Sequence, residues 1–493
     1  MESPLALAHH GKSSRTARRV VLTLVAVMGF GIAGGGPGLV PAADWPTHRG
    51  SVARTGNVDG GPGPAKPEVA WVQRAGEHYL ASPSSDGQAV FVSALGAFNS
   101  AQLQALTLGG NPAQRVRWAK GPPYLKLPLV SSPAIAQGLL VFGDGMHQTD
   151  GAVLHALRAD SGLPLWQFPV PGNLVHLEGG PAIADGKVYM GGGNAGVLCV
   201  DTNRLELDGR QVDRAAVEDD LRRRWEQLIA KYEQEKKVDP DFAVPPSEDA
   251  LPKPRPQQVW QKGAGEWHVD APLAVVGGFV YVASAFLDAE RTGERALLAL
   301  DAKDGRVVWK TSLNFNPWSG PTVAGDLILI GGSNIRLEPR DIPQGRGEVL
   351  AIQRTDGRVK WRRDVPGGVV SSIATVGSLL IFTATDGKVR AWDVATGQDR
   401  WTWDGGAPYF AGPAVAGTTV YCANLQGVVH ALNLADGQSQ WQLALASHPD
   451  IRAPGQVYGS PIVVGGRLIV ATCNLAATGE RQPTVVVCIG PKQ

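Results

Sequence analysis

From about residue 68 onward the chain is a succession of short apolar runs broken by Gly-, Asn- and Asp-containing turns. Runs this short, rich in Val, Ile, Leu and Ala, read as strands. They fall into one unit that recurs eight times. Each unit opens on a small residue and Pro, passes through an apolar run, a Gly turn and two further runs, and ends on a strand carrying Trp. The openings are Ser82-Pro83, Ser132-Pro133, Gly180-Pro181, Ala271-Pro272, Gly320-Pro321, Ser371-Ser372, Gly412-Pro413 and Ser460-Pro461. The closing residues are Trp71, Trp118, Trp166, Trp260, Trp309, Trp361, Trp401 and Trp441.

The seventh unit is the cleanest. Pro413 to Ala416 reads as a first strand, with Pro tolerated because it starts the strand. Val420 to Ala423 and Val428 to Leu432 are the next two strands, joined by a tight hairpin over Asn424 to Gly427. Asp436-Gly437 turn the chain toward Trp441. The motif Gly-x-x-x-Trp also joins Gly162 to Trp166, Gly305 to Trp309, Gly357 to Trp361 and Gly397 to Trp401. Gly supplies the positive φ of the turn, and the Trp ring is large enough to pack across to a neighbouring unit. Eight units of four strands predict an all-β fold, an eight-bladed β-propeller of four-stranded antiparallel blades. The eighth unit lacks its Trp strand, and Glu68-Val69-Ala70-Trp71 precedes the first opening. The N-terminal strand is therefore expected to complete the last blade and leave no open edge.

One interval is about double the others, which predicts an insertion over residues 203–256, between the third and fourth strands of blade 3. Within it, Asp213 to Lys237 reads as an amphipathic helix with Val217, Leu221, Trp225, Leu228 and Tyr232 on one face. Glu218–Arg222, Asp219–Arg223 and Asp220–Arg224 are expected as acid-before-base pairs along it. Pro240 stops the helix, and Pro245 to Pro256 is extended and Pro-rich. The apolar stripe docks either on the chain's own propeller or on a partner.

Residues 1–42 read as a signal peptide. Lys12, Arg15, Arg18 and Arg19 precede an apolar run from Val20 to Ile32, and cleavage is expected after Ala42 or Ala43. The run is short for a membrane span, which takes about 20 residues, so the mature protein is expected to have no transmembrane span. The paired Arg leaves open whether export is general or twin-arginine. The expected location is periplasmic or secreted. Residues 43–67 are a lead-in and 68–489 the propeller. A balance of 46 basic and 45 acidic residues argues against nucleic acid as a partner. Four Cys do not make a disulfide scaffold. Cys473 and Cys488 flank one hairpin centred near Gly479 and Glu480, as a bridge or as buried free thiols; Cys199 and Cys422 read as core.

The repeat resembles the pyrroloquinoline-quinone-like (PQQ-like) propeller superfamily. The resemblance is carried by Ala156-Leu157-x-x-Asp160-Ser161-Gly162-x-x-x-Trp166, Ala299-Leu300-Asp301-x-x-Asp304-Gly305-x-x-x-Trp309 and Ala431-Leu432-x-x-x-Asp436-Gly437-x-x-x-Trp441, and covers residues 66–489. Asp44-Trp45-Pro46-x-x-Arg49-Gly50-x-x-x-x-Thr55-Gly56 is similar to the lead-in of exported members. The superfamily holds both dehydrogenases and non-enzymatic scaffolds. The quinoprotein dehydrogenases hold their quinone beside a Trp, a disulfide of adjacent Cys, a calcium ion and an Asp base; this chain has no adjacent Cys pair. The chain resembles more the propeller lipoprotein of outer-membrane protein assembly, although the lipid-bearing Cys of that lipoprotein is missing.

In a propeller, the loops entering the innermost strands and the second-to-third-strand hairpins share the face around the channel mouth. The residues before the openings here are rich in large polar and aromatic types: His78, Tyr79, Tyr124, Lys126, His176, Glu178, Trp267, His268, Asp270, Asn316, Trp318, Tyr409, Phe410 and Tyr458. Such a ring suits a flat ligand or a peptide, or it plugs the mouth. Trp267-His268-x-Asp270 is the densest cluster, and His268 and Asp270 could share a face of an extended segment. As catalysis that pair would be a base and its orienter, but no nucleophile or cofactor motif accompanies it. No metal-ligand spacing is evident, and no metal or cofactor is expected. The expected function is a non-catalytic binding or scaffold protein for a protein or peptide partner in the cell envelope, monomeric. The alternative is a PQQ- and calcium-dependent alcohol or sugar dehydrogenase with an atypical site.

Overall fold

The computed structural model describes residues 45–57, 61–96, 100–110, 112–147, 149–475 and 483–492, which form eight antiparallel sheets. The expected leader lies outside the described residues, as does the hairpin tip around Gly479 and Glu480. Seven sheets have four strands and the third has five. The inner strands are very short: Ser84–Ser85, Ala134–Ala136, Ala182–Ala184, Ala274–Val276, Thr322–Ala324, Ala374–Val376, Ala414–Ala416 and Ile462–Val464. Consecutive inner strands lie side by side around the axis. In the eighth blade Val69–Ala75 pairs with Thr484–Ile489, so the N-terminal strand does close the ring.

The Trp residues stitch blade to blade. On the third strand, each faces a small residue: Ala105, Ala156, Cys199, Ala299, Ala351, Ala391, Ala431 or, for Trp71, Cys488. Seven of the eight indole N–H groups donate to a backbone carbonyl of the next blade or of the segment leading into it, as Trp118 does to Ala159 at 3.0 Å and Trp361 to Val394 at 2.9 Å. The turn glycine of the following blade lies on the same ring. A Cβ on Gly162, Gly305, Gly357, Gly397 or Gly437 would come within 2.5–2.8 Å of the preceding blade's Trp, and each of these glycines has a φ between +69° and +75°. The motif therefore needs Gly twice over, for the turn and for the neighbour's indole.

Trp166 is the exception. The blade after it carries the insertion in place of that turn, and its Nε1 has no hydrogen-bond partner. The insertion helix, Arg214–Val238, is capped by Asp213, whose carboxylate accepts from the Ala216 amide at 2.8 Å. Val217 and Leu221 are buried in the cluster that holds Trp166, with Trp225 and Leu228 packed against it. The stripe thus docks on the chain's own propeller. Of the three expected ion pairs only Asp220–Arg224 forms, at 2.6 Å. Asp219 turns to Arg222 and Asp220 also meets Arg223, because the i,i+3 neighbour is as near on a helix as i,i+4. Glu218 is taken by Arg214 and by Arg158 of blade 2. The third strand of blade 3 runs to Leu207, past the expected start of the insertion, and its end pairs with an unanticipated strand, Arg210–Asp213.

All four Cys are buried free thiols. Cys488 faces Ile469, which leaves Cys473 beyond the end of that strand and out of bridging register. Burial pushes Cys199, Cys422 and Cys488 up to about 12 and Cys473 to about 11.

The lead-in threads the axis. Trp45 bridges Ser85 of blade 1, and the carbonyls of Pro46, Val52, Ala53, Thr55 and Gly56 accept from Ile135, Val275, Val323, Thr375 and Val415, on the inner strands of blades 2, 4, 5, 6 and 7. Arg54, fully buried, donates to the carbonyls of Leu273, His48, Gly180 and Pro181 and to the Thr47 hydroxyl. Burial lowers its guanidinium to about 9. The carbonyl dipoles are what stabilise that charge, since none of the ion pairs among the described residues involves Arg54.

Candidate functional site at the channel mouth

A cavity of about 520 Å³ opens where the loops entering the inner strands meet the second-to-third-strand hairpins. Its wall is built by one repeated position. The residue four before each inner strand lines the cavity in all eight blades: Leu80, Val130, Glu178, Asp270, Trp318, Val370, Phe410 and Tyr458. Two residues nearer the strand the side chains are small or Pro, including Ser82, Ser132, Gly180 and Ser460, so the wall residues overhang a wider floor. The His48 ring of the lead-in forms that floor, 3.3 Å from Ser372 Oγ and 3.5 Å from Ser132 Oγ. Burial, with the charges of Arg54 and Arg49, holds the His48 imidazole well below its ordinary value, so the floor is neutral.

The wall is two-sided. Six blades contribute apolar or aromatic residues. Phe410 and Tyr458 meet edge-on at 5.1 Å, and the Arg336 guanidinium lies 5.1 Å from the Trp318 ring. Blades 3 and 4, which are adjacent, contribute carboxylates instead, each at the end of a His-x-acid tripeptide, His176-Leu177-Glu178 and His268-Val269-Asp270. His268 Nε2 and Asp270 lie 3.1 Å apart, as their alternation predicts. His176 Nδ1 is 3.2 Å from Glu178 and 3.5 Å from Asp270. His147, from the hairpin of blade 2, completes the group; its amide donates to Glu178 at 2.6 Å and its Nε2 lies 3.2 Å from Glu290. Burial raises the Asp270 carboxyl, but the surrounding His176, His268 and His147 outweigh it and hold it at about 2. Burial lowers His176, yet the charges of Asp270 and Glu178 leave it above its ordinary value.

Of the fourteen residues expected at the mouth, Glu178, Asp270, Trp318, Phe410 and Tyr458 line the cavity and Lys126 and Asn316 do not, with His176 and His268 fully buried beside the carboxylates. His78 is held at the rim, its backbone bridged to Leu95 and its Nδ1 accepting from the Asn474 amide at 3.1 Å. Tyr79, Tyr124, Trp267 and Tyr409 do not reach the mouth; they are buried in blade cores. Tyr79, Trp267 and Tyr409 stand an odd number of residues before their inner strands, so the extended chain turns them away from the axis. His147, Arg336 and His48 were missed. The first two sit on second-to-third-strand hairpins, which share this face, and that position was the available signal. The cation-poor wall, with Glu178, Asp270 and Glu338 against Arg336, suits a tricarboxylate quinone poorly. The four Cys are separate and buried, with no adjacent disulfide to stack on. The residues present do not fit that cofactor.

A Trp-stitched ring of eight blades with an axial lead-in defines a propeller of the PQQ-like class. The family model described as "Outer membrane protein assembly factor BamB" matches residues 64–244, 250–346 and 320–488, and the chain belongs to that family. An outer membrane protein assembly factor BamB of Burkholderia pseudomallei (strain K96243) is 30% identical over 149 residues, a stretch that spans 30% of this chain and 33% of that protein. Among solved structures, BamB from Moraxella catarrhalis superposes with a TM-score of 0.53 at 15% identity, over 86% of this chain and 98% of that one. Quinohemoprotein alcohol dehydrogenase from Comamonas testosteroni superposes with a TM-score of 0.59 at 14% identity, over 92% and 81%. The two structural likenesses show the fold alone. No helix among the described residues is long and apolar enough to cross a membrane.

Proposed function

We propose that the chain is a non-catalytic binding propeller of the cell envelope that takes a segment of a protein or peptide partner into its channel mouth. The observation that carries this reading is the eightfold wall: six apolar or aromatic positions, including Trp318, Phe410 and Tyr458, face a carboxylate sector formed by Glu178 and Asp270. An aromatic or aliphatic side chain flanked by Lys or Arg satisfies both halves at once. The misfit of the wall to a quinone, and membership of a family described by an assembly factor, support a binder over a dehydrogenase. Export, by the leader read from residues 1–42, would deliver it to the periplasm or beyond.

The test is selection of random peptides on the purified protein, then calorimetric titration of the enriched ones. Enriched peptides should pair a large apolar residue with a basic one. Phe410→Ala should weaken them roughly tenfold or more, equivalent to about 1.4 kcal/mol. Absence of enrichment, or affinities indifferent to both Phe410→Ala and Asp270→Asn, would sink the reading. Incubation with PQQ and calcium should leave no bound quinone by absorbance.

A further inference from the structure

The carboxylate sector contains more than the peptide reading uses. His147, His176 and His268 each offer a ring nitrogen, and the three atoms all lie within 4.8 Å of one another. His176, Glu178 and Asp270 form a second set by the same measure. The groups come from three successive blades: a hairpin of blade 2 and the loops entering blades 3 and 4. Two of the imidazoles, His176 and His268, are fully buried. Nε2 of His176 and Nδ1 of His147 and of His268 make no hydrogen bond, while His176 Nδ1 lies 3.2 Å from Glu178 and 3.5 Å from Asp270, and His268 Nε2 lies 3.1 Å from Asp270. Buried nitrogens normally find partners. Here three imidazoles and two carboxylates gather beside a cavity, and each ring keeps one nitrogen without a hydrogen bond.

The backbone is shaped around these rings. A Cβ on Gly193 would come 2.8 Å from His176 Nε2, and one on Gly293 would come 2.8 Å from His268 Cβ. The rings stand at angles, with centroids 5.2 Å apart for His176 and His268 and 5.6 Å for His147 and His176. Stacked or parallel rings would point their nitrogens past one another; tilted and edge-on rings can aim them at a common point.

We propose that His147, His176 and His268, with Asp270 or Glu178, form a binding site for a zinc-class divalent transition-metal ion at the channel mouth. Imidazole nitrogens with one carboxylate are the donors such an ion takes, at about 2.0–2.2 Å and in tetrahedral array. That array sets ligand atoms about 3.3 Å apart, so the three nitrogens need only a small rotamer closure from their present spacing. Calcium and magnesium prefer an all-oxygen shell, which three imidazoles deny them. Glu178 and Asp270 line the cavity, so a coordination position on the ion faces it. Glu290, beside His147, and whichever of Glu178 and Asp270 stays off the ion stand as outer partners that fix ring orientation. The site does not depend on the peptide reading and would stand if no peptide binds.

Metal-stripped full chain is titrated with zinc chloride by calorimetry, with calcium chloride in parallel. Zinc should bind at one equivalent per chain and raise Tm; calcium should do neither. Cobalt(II) in its place should give visible d–d bands of a tetrahedral or five-coordinate site. His176→Gln and His268→Gln should each weaken zinc roughly tenfold or more and abolish the cobalt bands, while His448→Gln on the far side of the ring sequence changes nothing. His147→Gln, at a half-exposed hairpin, serves as the third variant should the buried ones not fold. Zinc binding unchanged in the folded variants, no saturable zinc binding, or a response to calcium alone would each overturn the proposal.

Discussion

Gly397→Ala isolates the contact that holds neighbouring blades together. Gly397 has φ +69°, and a Cβ there would meet the Trp361 ring at 2.8 Å. Holding Ala in the left-handed region costs about 1–2 kcal/mol, offset by roughly 0.4–1 kcal/mol because Ala has less freedom than Gly in the unfolded chain. Overpacking against the indole adds about 1–3 kcal/mol, for a loss of about 1–4.5 kcal/mol in all. Gly377, in the same blade, has φ +56° but nothing within 4 Å of the added Cβ. Gly377→Ala carries the backbone cost alone, about 1 kcal/mol. Urea unfolding of both variants, followed by Trp fluorescence, compares the two. In a Trp361→Leu background the steric part should vanish, so the double-mutant cycle should show a coupling of about 1–3 kcal/mol. Equal losses for the two glycine variants, or a cycle with no coupling, would refute the claim that the turn glycine is required by the neighbour's Trp.

Three further outcomes follow from the packing. Burial holds the His430 imidazole down to about 4. The unfolded chain therefore takes up this proton first, and stability present above pH 6.5 is lost as the pH falls toward 4, by about 3 kcal/mol at 1.36 kcal/mol per pH unit; His430→Gln should flatten that part of the stability–pH curve, and an unchanged slope would contradict the assignment. Leu221→Asp, on the docked face of the insertion helix, should cost about 3 kcal/mol or more by burying an unpaired charge next to Trp166, whereas Phe242→Asp, 82% exposed, should stay within about 0.5 kcal/mol; thermal unfolding distinguishes them. No thiol should react with a chromogenic disulfide in the native state and four should react after denaturation; a count of two would mean a bridge.

The ring was legible because its signal is repeated. Eight Trp positions and eight openings correct one another, so a weak opening such as Ser371-Ser372 is placed by its neighbours. Gly397 was legible as a turn but not as the seat of Trp361, since that contact joins units that sequence spacing alone cannot orient. The mouth was half legible. Trp267-His268-x-Asp270 stands out through its aromatic neighbour; His176 and Glu178 are expected at the mouth too, but nothing local marks them as a second His-x-acid pair. Aligning the eight units on their inner strands, rather than scanning the loops for polar residues, would have found it and would have excluded Tyr79 and Tyr409 by parity. Arg54 was illegible: nothing local distinguishes a lead-in arginine that enters the axis and meets four carbonyls from one that remains in water.

The repeat also separates what the fold requires from what it leaves free. The outer-strand position is Trp in all eight blades, because each ring fills the joint to the next blade. The wall position is Leu, Val, Glu, Asp, Trp, Val, Phe and Tyr in turn, so no packing rule dictates it. Blade stability comes mainly from neighbour interfaces, and those run through the Trp joints, which the wall residues do not join. The two acidic wall residues are adjacent, each follows a His by two residues, and the third His reaches them from the preceding blade. The helical insertion of blade 3 lies on the Trp166 joint, away from this mouth in the blade's strand order. A fold that tolerates any side chain at eight equivalent positions gives no reason to place two carboxylates at adjacent ones and gather three imidazoles around them. The grouping is therefore the feature of this chain that chemistry, rather than architecture, has to explain.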